Sequence, residues 1–189
     1  MKEQKASETV KKCRLKTEYF DIYISAYNNA LDLLSEAKIL FDNKCFPRAY
    51  FLAFTALEEI SKSQIAADVY TGLVTEEEFI QQYREHEAKI NRMAWAHEDA
   101  NSSPHCYRWV GPDRDDVEEI VSRMPKLKRR MNSLYVGLNL KDMKPILPEE
   151  KITKEDAKGI IHIVDVALFK IMEMTEYWGH QIGTKGFMK

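Results

Sequence analysis

The sequence predicts an all-α protein, a bundle of about four to five helices joined by short turns and two long loops. Three observations carry that expectation. Apolar residues recur at three- and four-residue spacing almost throughout the 189 residues, only 7 Gly and 6 Pro punctuate them, and no stretch reads as a strand. With 44% hydrophobic residues the chain can bury one substantial core, and its length fits a single domain over residues 1–189.

The first helix is expected from roughly residue 16 to 42, on the spacing of Tyr19, Tyr23, Tyr27, Ala30, Leu34 and Ala37. "DNKCFP" breaks it, and Pro47 suits the first turn of a second helix that runs to about Tyr70 and stops at Gly72. Thr75 with Glu78 makes a capping box for a third helix reaching roughly Ala100. "NSSPHCYRWVGPD" (101–113) reads as a loop, and its His105, Tyr107, Arg108 and Trp109 suit either partner contact or ordinary packing. A fourth helix is expected from about 115 to 136, kinked or broken at Pro125. "GLNLKDMKPILPEEKI" is the second long connection, and Thr153 with Asp156 opens a last helix over about 153–182.

Lys plus Arg (28) nearly balances Asp plus Glu (30), so the overall charge selects no polyanionic partner. The local basic runs "KKCRLK" (11–16) and "KLKRR" (126–130) are most simply solvated helix faces. Cys13, Cys45 and Cys106 are widely spaced without a CxxC pair, which predicts neither a disulfide framework nor a zinc site, and a reducing compartment. No P-loop, Gly-rich dinucleotide turn, HExxH or Glu-x-x-His pair is present, so neither metal nor nucleotide cofactor is expected. No apolar run approaches the ~20 residues of a membrane span. The expected location is the cytoplasm.

Within the second helix, "FTALEEISKSQ" (54–64) sets Glu58, Glu59 and Lys62 in an otherwise apolar stretch. Lys62 falls between the two carboxylates on a helical wheel, so the three share an arc of about 100°. Two shielded carboxylates cost several kcal/mol unless cations answer them. Lys62 can answer one; if the third helix folds back antiparallel on the second, His86 or Lys89 can answer the other. The alternative is an intrahelical Glu–Lys pair on a wet face. Arg92 and His97 form an R-x4-H spacing, which suits metal-independent RNA cleavage: imidazole takes a ribose 2′-hydroxyl proton while guanidinium stabilises charge on the phosphate. A histidine on such a face is also commonly a hydrogen-bonded residue at a core edge.

"PRAYFLAFTALEEISKSQIA", "FIQQYREHEAKI" and "RRMNSLYVGL" occur in that order, and together they resemble the AbiV-type abortive infection proteins of bacteria over roughly residues 20–140. In that family an A-L-E-E helix with a following lysine precedes an H-x-x-K helix, and an Arg-rich segment ends in L-Y-V. The matching positions are Glu58, Glu59, Lys62, His86, Lys89, Arg130 and Tyr135. The resemblance implies a HEPN-like helical domain, usually dimeric, and a phage-defence role that stops protein synthesis in an infected cell. It also implies possible ribonuclease chemistry, for which Arg92, His97 and His86 are the candidate catalytic residues. Met93 stands where active HEPN enzymes usually carry a polar residue, and Gly137 where an acidic one is expected. A second expectation remains open beside the enzyme: a non-catalytic bundle that blocks translation or senses a phage protein. The homodimer interface is expected on the Tyr-rich first helix or on "FKIMEMTEYW" at the end of the last.

Overall fold

The computed structural model describes the backbone of residues 2–93 and 125–177, and side chains from Thr17 to Met93 and from Pro125 to Ile171. Helix α1 (Lys2–Asp42) and helix α2 (Phe46–Tyr70) form the long axis. They run antiparallel: the Phe41 and Phe46 rings meet at 5.3 Å beside the turn, and those of Phe20 and Tyr70 at 5.3 Å at the far end. Lys44, at φ 62°, makes the reversal. Helix α1 begins well before residue 16, because residues 2–16 contain neither Gly nor Pro to stop a helix.

Helix α2 is central, apolar nearly all round, and its buried Ala53, Phe54, Leu57 and Ile60 face the main core. Its end is a Schellman turn: Gly72, at φ 80°, donates to the Val69 carbonyl and Leu73 to the Asp68 carbonyl. Helix α3 (Glu76–Arg84) follows, opened by the Thr75/Glu78 capping box. Phe79 returns α3 to α1 and α2, packing edge-on to Tyr19 at 4.8 Å within a second core cluster with Tyr23, Ile65, Ala66 and Val69.

The single third helix expected as far as Ala100 is corrected here. Glu85 is extended (φ −88°, ψ 113°), and the chain restarts as helix α4 (His86–Arg92). The contacts show the new direction. Tyr83 lies near Lys62, His86 reaches Glu58, and Arg92 reaches Asp68, so α3 descends along α2 and α4 turns back up it. Without the break, a helix that brought His86 to Glu58 would carry Arg92 onward, away from Asp68, which lies ten residues back toward the C-terminal end of α2.

Residues 94–124, which include the 101–113 loop and the first part of the expected fourth helix, lie outside the described residues; beyond them helix α5 occupies Leu127–Asn132. It stops short of the expected residue 136, since the Ser133 hydroxyl donates to the Arg130 carbonyl at 2.5 Å and closes the last turn. The expectation of no strand is also corrected. Strands β1 (Gly137–Asn139) and β2 (Lys144–Ile146) pair antiparallel with Leu138 opposite Pro145. Helix α6 (Pro148–Lys151) then leads to helix α7 (Lys154–Tyr177), whose Ile160, Val164, Ala167 and Leu168 complete the main core. The fold remains all-α in class. No helix among the described residues is long and apolar enough to cross a membrane.

Candidate functional site

The polar residues of α2 divide between two places. Glu58 is buried, and its two oxygens are answered by different helices: Oε1 by His86 Nδ1 at 2.5 Å from α4, and Oε2 by Arg130 Nη1 at 3.4 Å from α5. Arg130 also lies over the Phe51 ring at 5.1 Å and the Phe54 ring at 5.8 Å, so aromatic faces of α2 hold the guanidinium that neutralises its carboxylate. Glu59 takes the other solution and accepts from Lys62 one turn on, in a partly shielded pair. Lys62 Nζ sits 5.4 Å from the centre of the Tyr83 ring. These contacts bring Glu58, Glu59, Lys62, His86 and Arg130 to one junction of α2, α3, α4 and α5.

Lys89 belongs to the same junction by charge and not by direct pairing. Of the two alternatives, His86 is the one that pairs with a carboxylate, while the Lys89 ammonium donates to the Tyr83 carbonyl at 3.0 Å. Burial pulls its pKa below the ordinary value. Glu58 and Glu59 work against that shift, and Lys62 and Arg130 add to it. His86 itself is about half exposed, at 47% of its side chain, against 4% for Glu58.

Arg92, expected as a phosphate-binding arginine, is committed elsewhere. It forms an ion pair with Asp68, which is 1% exposed. Burial pulls the guanidinium below its usual value and Asp68 holds it up. Asp68 was not anticipated. Its signal was present: Glu58, Ser61, Gln64 and Asp68 recur at three- and four-residue spacing along one stripe, and all four are buried. His97, the other half of the R-x4-H spacing, lies outside the described residues. Tyr135 is 57% exposed just beyond α5, and the structure does not bring it to the junction. The 126–130 basic run is partly used inside the fold, since Arg129 pairs with Asp156 at 2.6 Å and Arg130 with Glu58.

The tyrosines proposed for a dimer surface are largely spent internally. Tyr23 is buried, and Tyr19 and Tyr27 pack against the cores. On the alternative surface Phe169 is exposed and Ile171 buried, while the side chains from Met172 onward lie outside the described ones. No group of three or more His, Cys, Asp or Glu placed to hold a metal ion occurs among the described residues.

A helical bundle whose central helix carries a buried carboxylate, answered by a histidine and an arginine from two other helices, defines a class in which one polar junction ties the fold together and leaves an imidazole at the surface. The HEPN_AbiV family model, described as AbiV, matches residues 18–168, from α1 into α7 and across every junction residue named above. The chain belongs to the AbiV family of HEPN type, a family of abortive-infection, phage-defence proteins. No curated protein and no solved structure gave a match.

Proposed function

We propose that the protein is a cytoplasmic abortive-infection effector that halts protein synthesis in the phage-infected cell by acting on RNA. The observation that carries this reading is the junction at Glu58, where a half-exposed imidazole is fixed against a buried carboxylate that Arg130 also answers. An oriented proton-transfer group at the surface suits metal-independent cleavage of a phosphodiester. His86 and His97 are the candidate histidines, Arg92 the candidate arginine, and a homodimer the proposed working form. Radiolabelled amino-acid incorporation after phage challenge tests it. Incorporation collapses in cells carrying the wild-type protein and persists in those carrying His86→Ala or His97→Ala; an equal collapse with both variants removes both histidines from the mechanism.

A second reading is favoured by one observation. The Arg92 guanidinium is mostly buried and closed by Asp68, which suits a structural strut better than a phosphate clamp. In that reading the bundle is a binding module that blocks translation or senses a phage protein, and the polar junction fixes helix positions. Purified protein that leaves total RNA intact while still arresting translation in an extract distinguishes it.

A further inference from the structure

We infer that two copies of the chain join edge to edge through strand β1, with Leu138 on the two-fold axis between them. The contact rests on the homodimer proposed above and gives it a surface; it is independent of any chemistry on RNA. The first helix offers little for this purpose, since Tyr19, Tyr23 and Tyr27 pack within the bundle. The β1–β2 hairpin offers more. Tyr135, Val136, Leu138, Leu140, Met143 and Leu147 are exposed by 47% to 79% within one short stretch of chain. Such a strip presents on the order of a few hundred Å² of apolar area, the size that marks an interaction surface.

The hydrogen-bond pattern of the sheet selects the occupant. Strands β1 and β2 form a two-stranded sheet, with Leu138 opposite Pro145 between the pairs Gly137–Ile146 and Asn139–Lys144. Opposed residues in an antiparallel ladder alternate between exchanging both hydrogen bonds and exchanging none. Proline has no N–H to exchange, so Leu138 and Pro145 are a pair that exchanges none, and the Leu138 N–H and C=O point away from β2. The Pro145 backbone turns outward in the same way, so the far edge of the sheet has no donor at that place and is guarded against another strand. The β1 edge carries no such guard. It presents a donor and an acceptor on one residue, and a two-fold axis there lets the Leu138 N–H of each copy donate to the Leu138 carbonyl of the other, the self-complementary exchange of an isologous dimer. Continued two residues either way, this register sets Val136 of each copy opposite Leu140 of the other. Lys141 then falls opposite Tyr135, so no like charges meet. Leu138 and Pro145 are both exposed and project from one face of the hairpin, so the joined four-stranded sheet carries a continuous apolar row. The tip is fixed in advance: the Asn139 side-chain oxygen accepts from the Lys141 N–H at 3.1 Å, and Met143 takes a φ of 56° in the reversal. The strip is smaller than the ~800 Å² per partner of a lasting interface, so the dimer forms reversibly, at micromolar concentration.

The test is the mass of the full-length protein by sedimentation equilibrium over about 1 to 200 µM, with thermal melting of each variant in dilute solution. The wild type passes from monomer to dimer across that range. Leu138→Pro copies the guard on β2 and leaves the hairpin's internal bonds in place; Leu138→Asp sets two carboxylates against each other on the axis. Each raises the dissociation constant at least about tenfold. In dilute protein both variants melt as the wild type does, as should any substitution of the exposed hairpin side chains, because these lie outside the core. A wild type that stays monomeric throughout overturns the homodimer and this contact together, and leaves the edge to a strand of another protein. A dimer that either variant leaves at wild-type strength overturns the contact alone. Variants that melt early in dilute solution also overturn it, since Leu138 would then be covered within its own chain.

Discussion

Asp68 lies about three turns beyond Glu58 on α2, and both are as buried as the leucines around them. Each is tolerable because a cation from another segment was brought to it, and removing one partner strands the other. Asp68→Ala leaves the Arg92 guanidinium buried without its counter-charge and is expected to cost about 3–5 kcal/mol. Replacing both, Asp68→Leu with Arg92→Met, is expected to recover most of that loss, because an apolar pair carries no desolvation penalty. Urea unfolding of the two singles and the double measures it. At this scale the sequence was informative where charge stood out against an apolar background: Glu58 inside "ALEEI" demanded partners, and both His86 and Arg130 arrive. It was less informative where several cations competed. Lys89 matched the family motif, yet its ammonium went to a backbone carbonyl.

The elements are set by their ends as much as by their apolar faces. Thr153 opens α7 with the same reciprocal device that Thr75 uses for α3: its backbone N–H and hydroxyl donate to the Asp156 carboxylate, while the Asp156 N–H donates back to the hydroxyl. Burial pushes the Asp156 carboxyl up, but the bonds from Thr153 and the charge and hydrogen bond of Arg129 outweigh it and hold the group below its ordinary value of 3.8. A carboxylate depressed in the folded state stabilises above its unfolded pKa, and that contribution disappears as pH falls through the folded one. Thr153→Ala is thus expected to cost about 1 kcal/mol at neutral pH, with the gap to wild type closing as the pH drops below about 4. Melting curves from pH 7 to 3 check both. Such caps were legible because each is a local four-residue pattern. The break at Glu85 was not, since no Gly or Pro marks it and its cause lies on α2. The three-residue strands were too short for period-two alternation to register.

Across the whole molecule, burial and exposure are unevenly distributed. Helices α1, α2 and α7 hold the main core, whereas the hairpin segment exposes Tyr135, Val136, Leu138, Leu140 and Met143. Leu140, at 79% exposure, contributes no core packing, so Leu140→Ser is expected to change unfolding free energy by less than about 0.5 kcal/mol. A denaturation midpoint indistinguishable from wild type confirms it; a large shift means that residue is covered. The bundle class followed directly from helical periodicity and sparse Gly and Pro. The way α4 doubles back depended on two ion pairs between distant segments, which no local pattern encodes.

Where α1 and α2 enter the main core, their fully buried positions include Ala30, Ala37, Ala49, Ala53 and Ala56, side chains of a single methyl group. Positions this small and this buried form a tight seam, and a valine or leucine at any of them has to displace the atoms packed against it. The least conspicuous residues of the chain are therefore those least free to drift, and randomised libraries of this protein should lose their bulky variants along that seam first.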